Sequence, residues 1–208
     1  MAKVTEAGDV TLGQLEDEFG LQRTHAIDFF PEWQGGVLLT ELEREYLNRV
    51  RANFEAQLKE PPLLEDGVKM VVLSPLLDLA GFYQQPFKIQ TEASIEISAE
   101  DGGTIVRGRI DILVLLDRLW LLAIESKRSD FAVTRALPQA LAYMRAQPTG
   151  RSASFGLIAN GNEFLFVKLD LASGQYGLSR LFSLVNPGNE LVEVLGVLRE
   201  MGARDGAA

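Results

Sequence analysis

Three charged residues interrupt two otherwise apolar stretches, RGRIDILVLL and LWLLAIESK: Asp111 in the first, Glu125 and Lys127 in the second. Charges in a core strand cost several kcal/mol unless they are paired or bind an ion. Two readings follow. One is a structural ion pair of Lys127 with Glu125 or Asp111. The other is a cation site built from two carboxylates, with an amine beside it. Glu125 and Lys127 are two apart, so a strand points both to one face. Asp111 joins them if Leu116 pairs with Trp120, since that register also sets Asp111 opposite Glu125. Such pairing needs a three-residue connection, Asp117 to Leu119, or a bulge that corrects the register. A two-residue turn at Asp117 and Arg118 would instead send Glu125 to the opposite face. Opposed carboxylates about 5 Å apart at Cβ repel one another unless a cation lies between them. A divalent ion with oxygen ligands, Mg²⁺ or Mn²⁺, resolves this. It would polarise a phosphate and acidify a bound water. Lys127 would orient that water or stabilise charge building on the phosphate oxygens.

Other chemistries are pruned by what the chain lacks. It has no cysteine and one histidine, His25, so a Cys/His zinc site cannot be built from it alone. A Ser-His-Asp arrangement would have to use His25, in THAIDFFPEW, and there is no nucleophile elbow. Neither GxxxxGK(S/T) nor a GxGxxG following a strand is present. Carboxylates with a hard cation remain. The net charge of −9 argues against nucleic acid at first sight. Residues 107–151, however, hold eight basic residues, Arg107 and Arg109 among them, against four acidic ones. That basic excess coincides with the candidate site, and a solvated arginine face is its bland alternative. No charge-free apolar run approaches the roughly 20 residues of a membrane helix. The start, MAKVTEAGDV, has no secretory h-region. With no cysteine, a cytoplasmic location and no membrane partner are the expectation.

Several elements must position these residues. Thr11 with Gln14 forms a capping box, and Gly20 closes that short helix. FFPEWQGG reads as a loop whose aromatics pack onto the main domain. Thr40 with Glu43 opens a long helix with the apolar row Leu39, Leu42, Tyr46, Val50, Phe54 and Leu58, ended by Pro61-Pro62. A second helix spans 65–80, is kinked by Pro75 and stops at Gly81. The period then changes to two: FKIQTEASIEI, a turn at AEDGG, TIVRGRIDILVLL, then LWLLAIESK. A helix around ALPQALAYMRA follows. ASFGLIAN and EFLFVKLDL pair across Asn160-Gly161-Asn162, and YGLSRLFSL extends the sheet. Asn186-Pro187 opens a last helix with Leu191, Val194, Leu195, Leu198 and Met201 inward, ending at Gly202. The fold class is α/β, or α+β, with a mixed central sheet flanked by helices. One domain is expected over 1–208: an N-terminal extension (1–38), a core (39–185), a C-terminal helix (186–202) and a frayed tail (203–208).

Asp111, thirteen intervening residues and then Glu125-Ser126-Lys127 on the next strand resemble the signature of the PD-(D/E)XK nucleases, with Ile110 where the name has proline. Gln139 to Tyr143 resembles the QxxxY element that RecB-like nucleases carry on the helix after that strand. Residues 158–166 are similar to the strand-NG-strand segment of N-terminal nuclease domains in type I restriction-enzyme motor subunits, and SPLLDLAGF looks like that family's first helix. The likeness covers residues 65–168 or thereabouts. It implies a restriction-endonuclease-like core and Mg²⁺- or Mn²⁺-dependent cleavage of nucleic acid, DNA before RNA. Asp111 and Glu125 become metal ligands, with the Ser126 carbonyl as a third, and Lys127 the catalytic lysine. Gln139, Tyr143 and Arg109 would support the site or touch the substrate. An upstream acid is expected, with Glu65 ahead of Glu92. A homo-oligomer or a helicase partner chain fits such a domain. The rival expectation is a catalytically silent protein that keeps the fold as a binding or scaffold module. A third reading makes the C-terminal apolar helix a dimer seam.

Overall fold

The computed structural model describes residues 3–34, 36, 38–59, 63–98, 104–115, 120–125, 132–146 and 153–205. For residues 110, 111, 113–115, 120–125, 204 and 205 the description covers the backbone alone. The strands are β1 (Lys3–Glu6), β2 (Gln22–Arg23), β3 (Lys88–Ser98), β4 (Thr104–Leu115), β5 (Trp120–Glu125), β6 (Ala153–Ala159), β7 (Glu163–Asp170), β8 (Gln175–Leu178) and β9 (Phe182–Ser183). The helices are α1 (Leu12–Phe19), α2 (Glu41–Gln57), α3 (Glu65–Val68), α4 (Ser74–Leu79), α5 (Leu137–Arg145) and α6 (Leu191–Asp205).

Among the described residues the strands form one sheet ordered β1-β4-β5-β6-β7-β8-β2, with β3 also on β4 and β9 also on β7. Three ladders are parallel (β1 with β4, β2 with β8, β5 with β6) and the rest antiparallel. The expected mixed sheet flanked by helices is what the chain forms. Each face carries its own apolar core. Leu47, Val50 and Phe54 of α2, Val68, Leu76 and Leu77 of the α3–α4 segment, and Val194 and Leu198 of α6 cover one face. Leu15 of α1 and Ala140, Leu141 and Met144 of α5 cover the other. Strand alternation feeds both: Phe155, Leu157 and Ala159 of β6 enter the first core, and Ile158 the second.

Local chemistry sets most boundaries where the sequence predicts them. Both capping boxes form, at Thr11 with Gln14 and at Thr40 with Glu43, and Gly20 closes α1 at φ 67°. The 160–162 turn forms too: Asn160 Oδ1 accepts from the Asn162 and Glu163 N–H groups at 2.9 and 2.7 Å, with Gly161 at φ 85°.

Five expectations need correction. The first 38 residues are no appendage, since β1 and β2 belong to the sheet and Leu15, Leu21 and Phe30 are buried. In α2 the inward face is Leu47, Val50 and Phe54, while Leu42 is 75% exposed. Steps of four residues advance about 40° beyond a full turn, so a row built on them walks off the core at its ends. Pro75 does not simply kink its helix. A π-turn, Lys69–Leu73, lies before it, and the Ser74 N–H donates to the Lys69 carbonyl. That widened turn accommodates a residue with no N–H to give. YGLSRLFSL divides into β8 and β9, both on β7. The last helix starts at Leu191 rather than Pro187 and runs past Gly202 to Asp205. Gly188 at φ 86° prevents an earlier start, and Asn189 Oδ1 takes the Leu191 N–H at 3.2 Å.

Candidate active site

β4 is bordered by three strands. β3 pairs with it from Ile105 to Leu115, occupying one edge throughout. On the other edge β1 pairs with Thr104–Arg107, and β5 with Ile112–Leu115. Between them, over Gly108–Asp111, no strand among the described residues pairs with that edge. β5 leaves β4 after Ala123 but stays on β6 as far as Glu125, which pairs with Ala159. The two strands therefore fork, with Asp111 beside the split on one arm and Glu125 at the end of the other.

The register differs from the expected one. Leu115, not Leu116, pairs with Trp120, one residue away from the expected register. Carried on regularly, that ladder would set Asp111 against Ile124, and the two acids would belong to opposite faces. It is not carried on. The alternation of β4 itself slips by one residue: Val106 lies in the α5 core and Ile112 in the other, although both numbers are even. β3 slips in step, with Ala93 and Ile97 in the α5 core and Ile89 against the opposite one. The slip on β3 coincides with Glu92, a non-glycine residue at φ 52°. Its pairing with Asp111 is skipped, between Thr91–Ile112 and Ala93–Ile110. A left-handed residue inside a strand costs on the order of 1–3 kcal/mol. Such strain concentrates at functional positions.

Beside the slip lies a cleft of about 480 Å³. Asp66, Lys69, Met70 and Ser74 form its helical wall, and Thr91, Glu92 and Ile112 its strand wall. Lys69 reaches Asp66 at 3.4 Å, and Tyr83 donates to Ser74 Oγ at 2.9 Å. Of the upstream acids expected from sequence, Glu92 lines the cleft. Glu65 stands in the first turn of α3, outside the lining, while its neighbour Asp66 is in it. Arg109 pairs with Glu92 at 3.3 Å and Arg107 with Glu96 at 2.7 Å. Both described arginines of the basic segment's first strand are thus matched by acids.

Gln139 and Tyr143 come together as their spacing requires, with Gln139 Nε2 donating to Tyr143 Oη at 2.8 Å. Tyr143 is buried and presses on β4 at Gly108, where a Cβ would come within 2.6 Å of its ring. Only glycine admits the contact. The pair therefore braces β4 three residues before Asp111, from the sheet face opposite the cleft. His25 is exposed, in a separate recess lined by Phe29 and Trp33.

The side chains of Asp111 and Glu125, and Ser126 and Lys127 entirely, lie outside the described residues. Among the described residues no three His, Cys, Asp or Glu side chains gather closely enough to hold a metal. No helix among them is long and apolar enough to cross a membrane. Asp66 and Lys69 were missed by sequence reasoning. The one signal for them was Pro75, whose accommodation in a widened turn rotates the residues before it.

The family model for the N terminus of type I restriction enzyme R proteins matches residues 14–172. A solved fragment described as an HsdR subunit of a type I restriction enzyme, from Vibrio vulnificus YJ016, is 20% identical with a TM-score of 0.39. The match covers 66% of this chain and 26% of that one, so the chain spans about a quarter of that relative's length. No curated protein matches the chain significantly. The family match, spanning well over half the sequence, carries the assignment.

Proposed function

The chain belongs to the family of type I restriction enzyme R protein N termini, and from that premise we propose that it is a nuclease domain cleaving DNA phosphodiester bonds at the β4–β5 fork. The single observation that carries this reading is the fork itself, with Asp111 and Glu125 on its two arms. The one-residue slip near Glu92 supports it, because it compensates for a register that would otherwise separate the two acids.

The donors available at the fork are carboxylates and carbonyls, with no thiol or imidazole, and this set suits a hard divalent cation such as Mg²⁺ or Mn²⁺. Asp111, Glu125 and the Ser126 carbonyl would hold it. When bound, the ion supplies polarisation of the phosphate and a water of lowered pKa. Lys127, two residues beyond Glu125, would orient a water and stabilise charge gathering on the phosphate oxygens. Glu92 is the better placed upstream acid, ahead of Glu65, since it lines the cleft and faces the Asp111 position across the strand pair. Gln139 and Tyr143 position β4, and Arg109 holds Glu92.

A larger restriction assembly, with a motor segment or partner chain, fits the family and a sequence that contains no helicase motif. The matched arginines and the net charge of −9 favour a second reading, a nuclease-fold scaffold without turnover. Cleavage of supercoiled, linear and single-stranded DNA with Mg²⁺ separates the two. The nuclease reading expects cleavage by the unaltered chain that Asp111→Ala abolishes. No cleavage under any condition, with partner binding unchanged in Asp111→Ala, supports the scaffold.

A further inference from the structure

We propose that the recess beside β2 binds a nucleotide, with an unpaired base stacked on its aromatic wall and the phosphate on Arg23. The inference does not depend on cleavage at the fork. In the sheet β2 lies four strand steps beyond β5, about 19 Å at ~4.8 Å per step.

Shape and charge select the ligand. The recess measures about 190 Å³, below the roughly 300–1,000 Å³ of pockets for drug-sized molecules, so it suits one planar ring system. Phe29, Phe30 and Trp33 supply an aromatic wall, and His25 and Gln34 add polar edges. Arg23 is its cation, exposed at the end of β2, and among the described residues no carboxylate pairs with it. The lining holds no acidic residue, in a chain of net charge −9. Asp28, in the same loop, stays out of the lining, and Glu32 is turned to Lys168, from which it accepts at 2.8 Å. Arg107 and Arg109, near the fork, each face a glutamate instead. Aromatic rings beside an unmatched guanidinium are how proteins hold single-stranded nucleic acid. Every base has a π-face, and every unit brings a phosphate.

The recess is also held in shape by its surroundings. The Thr24 N–H donates to the Tyr176 carbonyl at 2.8 Å, and the Ala26 N–H to Thr24 Oγ1 at 3.2 Å. Gln34 Nε2 donates to the Ile27 carbonyl at 3.4 Å, so the loop closes on itself and on β8. Phe29 lies against Gly177, where a Cβ would come within 2.7 Å of its ring. Lys168 Nζ stands 5.7 Å from the centre of the Phe29 ring and 6.0 Å from that of Phe30, within cation–π range. Rings fixed in this way lose little freedom when a base stacks on them. Ile27 also belongs to the lining and is 84% exposed, an apolar side chain that a bound base would cover.

The test is binding in EDTA, so that nothing is cut, of two probes: a short fluorescent oligothymidylate and thymidine monophosphate. Arg23→Gln should bind the oligothymidylate about tenfold more weakly. Its slope of log affinity against log salt should be shallower by about 0.7, the value of one lost phosphate contact on a single strand. Arg23→Lys should restore the slope. Trp33→Leu should bind about tenfold more weakly with the slope unchanged. Trp33→Phe should keep most of the affinity but lose the quenching of tryptophan emission that the probe causes in the parent. Arg107→Gln and Asp111→Ala should bind as the parent does, so the recess and the fork stand or fall separately. Tighter binding of the oligothymidylate than of the monophosphate identifies a DNA strand as the source of the nucleotide, and equal binding a free nucleotide. Either supports the recess. If Trp33→Leu unfolds, the Arg23→Gln slope and the Trp33→Phe quenching carry the test. An unchanged slope in Arg23→Gln overturns the proposal, as does quenching that survives Trp33→Phe. Absence of binding of either probe by the parent overturns it too.

Discussion

The two halves of β4 do different work within twelve residues. From Thr104 to Gly108 the strand is clamped: β1 and β3 pair on its two edges, and α5 presses Tyr143 against Gly108. From Ile112 onward it pairs with β5, and Ile112 lies in the opposite core. Between them the alternation slips, one edge goes unpaired, and Glu92 sits strained across from Asp111. Rigid bracing next to an opened ladder is how a sheet can hold an acid still while leaving its surroundings accessible. The clamped half is built for stability, and the forked half is where the proposed chemistry would take place.

That division can be broken or sharpened by substitution. The largest effect is expected from the proposed catalytic lysine: Lys127→Ala should lower cleavage by on the order of 10³-fold, the usual cost of removing a group that stabilises transition-state charge. Its melting temperature should stay within about 2 °C of the parent, since only a functional group is lost. Gly108→Val should do the reverse. The added side chain meets Tyr143 and Ala7 within 2.7 Å, so overpacking should cost about 2 kcal/mol and lower the melting temperature by several degrees. Cleavage should fall with it, because β4 shifts near Asp111. If Gly108→Val lost activity yet melted like the parent, the clamp would have to be part of the chemistry.

Smaller effects come from single hydrogen bonds. Tyr143→Phe removes the hydroxyl that accepts from Gln139 and should cost about 1 kcal/mol of stability. Cleavage should fall only a few-fold, as seen in kcat with KM unchanged. The smallest lies away from both halves. Arg199 and the Thr40 cap hold the Glu43 carboxyl at about 2 instead of 4.5, the Arg199 hydrogen bond being the largest cause. A lowered carboxylate pKa stabilises the fold above about pH 4.5, and that contribution disappears as pH falls toward 2. Glu43→Gln should therefore cost about 1 kcal/mol at neutral pH, discounted for a part-exposed pair. By pH 2 the difference in denaturant midpoint should vanish, and cleavage at neutral pH should be unaffected.

Where local chemistry decides structure, the residues announce it. Both capping boxes, the Asn160-Gly161 turn, the Gln139–Tyr143 pair and the buried row of α6 were legible because each is a short-range pattern with one favoured geometry. β1 and β2 were not, since four- and two-residue strands have no period of their own and exist because β4 and β8 offer them an edge. The register at Trp120 was missed for a related reason. The sequence allowed a three-residue connection or a bulge, and packing on two faces at once, which sets the slip across Glu92, decides between them. Asp111 and Glu125 were singled out from sequence and their backbone lies on the two arms of the fork, while the cleft wall of Asp66 and Lys69 depends on the π-turn before Pro75. Ser126 and Lys127 lie outside the described residues, and their roles rest on the sequence alone.

The central claim is that Asp111 and Glu125 share one cation. Calorimetric titration of Mn²⁺ into the parent chain, Asp111→Asn, Glu125→Gln and the double variant tests it most directly. Shared ligation predicts that each single change removes most of the binding and that the double change adds little, a strongly non-additive cycle. Binding that survives either single change at the parent's affinity, or no binding by the parent, would contradict the account.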